Sequence, residues 1–210
     1  MIITQTVDLY SRAGLIIARG GVIAFRTDTF YGLGADPFNC SAVQRIKQLK
    51  GREEQKPILI IVGGHAAVTR FIPAPTPNFS LLAETFWPGR LTLIGQAAAD
   101  VPEEITAGTK TVGVRLPGDD KVRALVRSCG GALTATSANP SQQPPATTAE
   151  KVFSYFGEAI DLILDDGEVK AEQPSTVIDV SGVEPRLIRE GAIAWSAIRQ
   201  VLNKHTVKHT

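Results

Sequence analysis

The chain of 210 residues predicts an α/β fold: a mixed sheet with helices packed on it. Three observations carry that expectation. Apolar strand-like runs alternate with stretches of helical periodicity along nearly the whole chain. Near the C-terminus "STVIDVSGVEPRLIREG" reads as two strands around a Ser-Gly turn, a hairpin that a purely parallel doubly wound sheet would not contain. A hydrophobic content of 43% against 20% charged residues suits an ordinary globular domain, with no internal repeat and no long linker.

The elements follow in order. "VDLYSRAGLIIAR", residues 7 to 19, has apolar residues at helical spacing and stops at Gly20 and Gly21, before a buried strand from Gly21 to Phe25. "SAVQRIKQL" puts Val43, Ile46 and Leu49 on one helix face behind Ser41, which is expected to be the N-cap. "PILIIV" is a continuous apolar strand, "SLLAETFW" a helix, and "RLTLIGQA" an alternating strand after the turn at Pro88 and Gly89. "TVGVRLP" is a further strand, "DKVRALVRSC" a helix, and "GALTATSAN" a strand of small residues with a polar exit. Helix "TAEKVFSYFG", strand "DLILDDG", the hairpin and a last helix "AWSAIRQVL" complete the series. One domain over residues 1–203 and a polar tail at 204–210 are expected, and "NPSQQPPATT" is the loosest internal segment.

Composition narrows the function. A formal charge of +1 argues against a dominant basic footprint, although a local basic face would still fit within a balanced total. No apolar run approaches the ~20 residues of a membrane span, and the N-terminal residues lack a signal-peptide pattern, so a cytoplasmic location is expected. Cys40 and Cys129 stand in no CxxC spacing and read as small buried apolar residues. His65 is alone, and His205 and His209 sit in the tail, so no metal site is expected. The chain has no GxxxxGK[ST] loop, no dinucleotide fingerprint around Gly32 and Gly34, and no GxSxG elbow. Covalent acyl-enzyme chemistry has little support.

Four polar clusters remain, each where an apolar strand or helix ends. Thr27, Asp28, Thr29 and Tyr31 follow "GVIAF"; their hydroxyls either line a ligand site or satisfy a turn. Lys50, Arg52 and Lys56 could clamp an anion, or form a solvated loop neutralised by Glu53 and Glu54. Arg115 lies in an otherwise apolar strand and needs an anion from protein or ligand. Ser137 and Asn139 in "TSAN" offer a hydroxyl and an amide without charge. Together they describe a pocket rich in cations and hydroxyls and poor in proton shuttles, which suits phosphate electrostatics.

"TDTFYGLGADP", "KGREEQKPI", "FWPGRLTL", "VGVRLP", "TSAN", "PATTAEKV", "STVID" and "LIREGAI" stand in the order and spacing of the YrdC-like family, the threonylcarbamoyl-AMP synthases, in its short single-domain form. The resemblance covers about Val7 to Ile193. It implies a twisted mixed α/β sheet with packed helices and a concave ligand cavity. It also implies condensation of L-threonine, bicarbonate and ATP to threonylcarbamoyl-AMP and pyrophosphate, with Mg²⁺ expected alongside ATP. The product would feed tRNA modification through a separate transferase complex.

By motif matching, Lys50, Arg52, Lys56, Thr111, Asn139, Thr147 and Arg189 resemble the ATP contacts, with Lys50 and Arg52 the expected catalytic cations. Thr27, Arg115, Ser137 and Ser175 resemble the part that holds L-threonine. The alternative from another class is a YrdC-like relative that binds double-stranded RNA or tRNA without synthase activity. The chain departs from the family pattern at Arg26 and Arg90, where prolines are usual, at Ile61, and in the loop around Gln142. These departures bear on amino-acid specificity and loop geometry.

Overall fold

The computed structural model describes residues 2–4, 7–51, 56–170 and 173–206. In chain order the elements are β1 (Ile2–Thr4), α1 (Val7–Ala18), β2 (Ile23–Arg26), β3 (Tyr31–Gly34), α2 (Cys40–Lys50) and β4 (Leu59–Val62). Then come α3 (Pro77–Phe86), β5 (Leu91–Gln96), α4 (Glu103–Thr106), β6 (Thr111–Arg115), α5 (Asp120–Ser128) and β7 (Ala132–Ser137). The last are α6 (Ala149–Phe156), β8 (Leu162–Asp165), β9 (Thr176–Asp179), β10 (Arg186–Arg189) and α7 (Trp195–Thr206). Short 3-10 turns occupy His65–Arg70 and Gly157–Ala159.

The strands form one sheet in the order β1-β8-β2-β3-β7-β4-β6-β5-β9-β10. β1/β8, β2/β8, β4/β6 and β5/β9 pair in parallel, while β2/β3, β3/β7, β4/β7, β5/β6 and β9/β10 run antiparallel. The sheet is therefore mixed, as the C-terminal hairpin required.

Strand alternation sends side chains to two cores. Ala24, Leu33, Ile60, Val62, Leu91, Leu93, Val112, Val114, Ile163 and Ile178 point to one face, which α2, α3, α6 and α7 cover through Ile46, Leu82, Val152 and Ile198. Ile23, Phe25, Ile61, Leu133, Leu162 and Leu164 point to the other, where α1 and α5 pack through Leu9, Ala13, Ile17, Val122, Leu125 and Val126. That second core takes its residues from β2, β8, β4 and β7 but none from β6, β5 or β9. The same face is left for Arg115 of β6, Thr92 of β5 and Ser175, the residue just before β9, which flank the apolar residues in sequence.

Four local features differ from the sequence reading. "YGLG", assigned to no element from the sequence, forms strand β3, antiparallel to β2, so Thr27 to Phe30 form the turn of a hairpin. Gly32 and Gly34 weaken the strand signal by lacking side chains, yet Gly34 faces Phe25 so closely that a Cβ would lie 2.7 Å from the ring. The α2 cap is Asn39 rather than Ser41: its side chain accepts from Ala42 N at 3.0 Å, starting the helix one residue before Ser41. Cys129 is buried as expected, but Cys40, the first residue of α2, is exposed because it lies off the Val43–Ile46 face. The helix predicted last continues to Thr206, past the expected boundary at 203; His209 lies outside the described residues.

Candidate functional site

A cavity of about 450 Å³ opens on the sheet face that α1 and α5 leave bare. That size suits a small-molecule ligand. Its floor is a row of side chains in one strand phase: Gly32, Ser137, Ala135, Leu59, Ile61, Arg115, Thr92 and Ser175. Register makes the row continuous, with Gly32 opposite Ser137, Leu59 opposite Ala135 and Ile61 opposite Arg115.

The β2–β3 turn forms one wall, and its hydroxyls are ordered as a chain. Thr27 Oγ1 accepts from the backbone N–H of Thr29 and Phe30 and donates to Phe30 O at 2.7 Å. The Thr27 and Thr29 hydroxyls lie 2.9 Å apart. Thr29 Oγ1 in turn accepts from Arg115 Nη1 at 3.5 Å. Thr27 thus builds the turn and also lines the cavity.

Arg115 ends β6 and is 6% exposed. Its Nε donates to Gly89 O at 3.0 Å, and its Nη2 donates to the Asp28 carboxylate. Burial lowers the Arg115 pKa from the ordinary guanidinium value; Asp28 opposes that shift and the Arg90 charge adds to it. The anion that the apolar strand required therefore comes from the protein itself, 87 residues away along the chain.

Lys50, 5% exposed, reaches from the C-terminal turn of α2 to the exit of β7, where its ammonium donates to the carbonyls of Ser137 and Asn139, the second at 2.7 Å. Gly51 closes the helix at a left-handed φ of 58°, the conformation glycine adopts at least cost. Asn139 holds the following loop by donating Nδ2 to Pro140 O and Gln143 O at 2.9 and 2.7 Å. Within that loop Gln142 takes a positive φ of 69° and lines the cavity. At the opposite rim Arg189 of β10 donates Nε and Nη2 to Ser175 O and approaches Ser175 Oγ at 3.2 Å. Its pKa is lowered by burial first and then by the Arg115 charge.

Of the residues singled out in the sequence, Thr27, Lys50, Lys56, Arg115, Ser137, Asn139, Ser175 and Arg189 line this cavity. Thr111 and Thr147 do not. Thr111 stands at the far end of β6, paired with Gln96 and bonded through its hydroxyl to Thr109 at 3.0 Å. Thr147 contributes its carbonyl to Val169 N at 2.9 Å. Arg52 lies outside the described residues. Sequence reading missed Thr92, fully buried, whose hydroxyl lies 3.0 Å from that of Ser175. The signal was present, since a threonine between Leu91 and Leu93 in an alternating strand must face away from their core.

The lining includes Lys50, Lys56, Arg115 and Arg189 and no Asp or Glu among the described residues. No group of three or more His, Cys, Asp or Glu among the described residues is placed to hold a metal ion. No helix among them is long and apolar enough to cross a membrane.

Fold and site together define an α/β protein whose sheet face carries a cavity lined by cations and hydroxyls. The model of the Sua5/YciO/YrdC family, described as "Telomere recombination", matches residues 15–191, and the chain belongs to that family. The threonylcarbamoyl-AMP synthase of Thiobacillus denitrificans is 39% identical over 166 residues, 79% of this chain and 87% of that protein. The protein of that name in Pyrococcus abyssi is 35% identical over 90% of this chain, which spans only 55% of that longer relative. Among solved structures, P. abyssi Sua5 complexed with L-threonine superposes with a TM-score of 0.90 and 33% identity, over 96% of this chain and 60% of that one. Escherichia coli YciO follows at a TM-score of 0.81 and 25% identity, over 92% of this chain and 96% of its own.

Proposed function

We propose that the protein is an L-threonylcarbamoyladenylate synthase, a cytoplasmic nucleotidyltransferase. The observation that carries the reading is the cavity lining: Lys56, Arg115 and Arg189 with Lys50, set among the hydroxyls of Thr29, Thr92, Ser137 and Ser175, without a lining carboxylate among the described residues. L-Threonine lies against Arg115, with Thr27, Ser137 and Ser175 around it. The ATP phosphates lie toward Lys50, Lys56 and Arg189, beside Asn139. Arg52, Thr111 and Thr147 are further nucleotide contacts by family resemblance, and the position of the last two outside the cavity makes them the first to test.

The reaction asks little of a protein nucleophile. The neutral threonine amine attacks carbon dioxide and releases a proton to give a carbamate, or reacts with bicarbonate with loss of water; a carbamate oxygen then attacks the α-phosphate of ATP, and pyrophosphate leaves with the electron pair of the broken P–O bond. The side chains align the partners and offset the charge that develops on the phosphate oxygens. Because no group of three or more His, Cys, Asp or Glu among the described residues is placed to hold an ion, Mg²⁺ would be held by the nucleotide's phosphates and water, which is its usual habit. The product would pass to a separate transferase complex that acts on tRNA.

The test is pyrophosphate release from ATP with bicarbonate and L-threonine, with L-serine in its place as control. Threonine-dependent release is expected, and Arg52→Ala should lower it about ten- to hundredfold, the value of a lost charge-assisted contact of ~1.5–3 kcal/mol. No release with any amino acid from folded protein would overturn the reading, and salt-sensitive binding of double-stranded RNA without ATP binding would replace it with the RNA-binding alternative.

A further inference from the structure

We propose that Asp28 is an internal counter-anion that the carboxylate of the amino-acid substrate displaces from Arg115, and that Arg90 receives it. The inference rests on the placement of L-threonine against Arg115. It names Arg90 as a positioning residue for substrate entry.

Asp28 stands in the partition between two hollows. Its Oδ1 takes the Arg115 guanidinium, whose other side lines the 450 Å³ cavity. Its Oδ2 lies 4.0 Å from Arg90 Nε, and both residues border a second, more open hollow of about 620 Å³. A substrate carboxylate arriving at Arg115 would place two anions on one buried cation, which is costly unless one of them gains another partner.

Two other cations border the second hollow. Arg26 is already engaged, with Nη1 at 3.2 Å from Asp119 and 4.0 Å from Asp166. Lys170 borders the same hollow, but it is Arg90 whose Nε lies 4.0 Å from the Asp28 carboxylate. The Arg90 backbone is pinned, since its carbonyl accepts from Thr176 N at 3.0 Å, while its side chain is 42% exposed and has room to follow the carboxylate. The same short turn serves both ends of the exchange: Gly89 O orients Arg115, and the next side chain faces Asp28.

The experiment measures L-threonine affinity calorimetrically in the wild type, Arg90→Ala, Arg90→Lys, Asp28→Asn and the Asp28→Asn/Arg90→Ala double variant, with ATP affinity alongside. Removing the competitor should make Asp28→Asn bind L-threonine more tightly. Arg90→Ala should weaken it about two- to fivefold, the scale of a half-exposed ion pair, with ATP affinity unchanged and Arg90→Lys restoring most of the loss. In turnover the change should appear in KM for threonine and not in kcat. In the Asp28→Asn background Arg90→Ala should have no further effect.

Weaker threonine binding by folded Asp28→Asn would mean that Asp28 only holds Arg115 in place, and would overturn the inference. So would an Arg90→Ala variant that binds like the wild type, or one whose loss is the same in both backgrounds. Failure of the wild type to bind L-threonine would overturn the functional reading, and this inference with it.

Discussion

Gly89→Ala is the most revealing single change outside the lining itself. A Cβ at residue 89 would sit 2.4 Å from the carbonyl oxygen of Phe86, about 1 Å inside ordinary contact. The obstacle is backbone at the end of α3, so no side-chain rotation relieves it. The turn itself must move, and it is tied on both sides: Gly89 N donates to Leu116 O at 2.9 Å, and Gly89 O accepts from Arg115 Nε at 3.0 Å. A displacement of about 1 Å stretches the second bond beyond hydrogen-bonding distance.

Overpacking of this kind costs about 1–3 kcal/mol, and the expected result is a lower urea midpoint with an unchanged m value. Because Arg115 loses its backbone anchor, KM for L-threonine should rise as well, while KM for ATP changes little. Gly64→Ala is the control: its Cβ would meet nothing within 4 Å and its φ of −177° is ordinary extended backbone, so stability should stay within about 0.5 kcal/mol. If Gly89→Ala unfolded with the wild-type midpoint and showed the wild-type KM for threonine, the tie between this turn and Arg115 would be refuted.

Lys50→Met removes the charged donor from the carbonyls of Ser137 and Asn139, and a stability loss of about 1.5–3 kcal/mol by urea unfolding is expected together with loss of pyrophosphate release; retention of both would remove Lys50 from the site. Burial pushes the Tyr31 phenol from 10.0 up to about 12, with the Asp166 backbone N–H opposing and the Asp165 charge adding to the shift. The unfolded chain therefore loses this proton first, so the associated stability is intact below pH 10 and is lost as the pH rises to about 12, and Tyr31→Phe should flatten that part of the profile. Of the two thiols, exposed Cys40 should react with a thiol reagent in the native protein, whereas Cys129, buried and pushed up to about 11, should react only after unfolding; two fast thiols in native protein would contradict the packing around α5.

Strand and helix types were legible because they depend on periodicities of two and 3.6 residues, which any window of the chain displays. Where the pattern failed, a local feature masked it. β3 carries glycine at alternate positions, and glycine gives no apolar signal to count. β1 is three residues long and finds its partner β8 some 160 positions later, a pairing no local window contains. Thr92 was hidden for a different reason. The alternation of β5 fixes which face it occupies, but only the absence of helix cover on that face turns a buried threonine into a cavity residue.

The cationic residues were legible as chemistry but not as geometry. A sequence shows that Arg115 needs an anion; it does not show that the anion is Asp28, because that pairing exists only when the β2–β3 turn and the end of β6 meet across the sheet. Physically this separates two kinds of site residue. Ser175 and Ser137 lie in the lining through strand phase alone, so an alternating pattern suffices to place them. Arg115 and Lys50 act through long side chains held at their tips by groups about 90 positions away, so their tip positions depend on tertiary packing. Substitutions that move a backbone support, such as Gly89→Ala, should therefore disturb these cations more than substitutions of their neighbours in sequence, and that contrast is measurable as threonine KM against ATP KM.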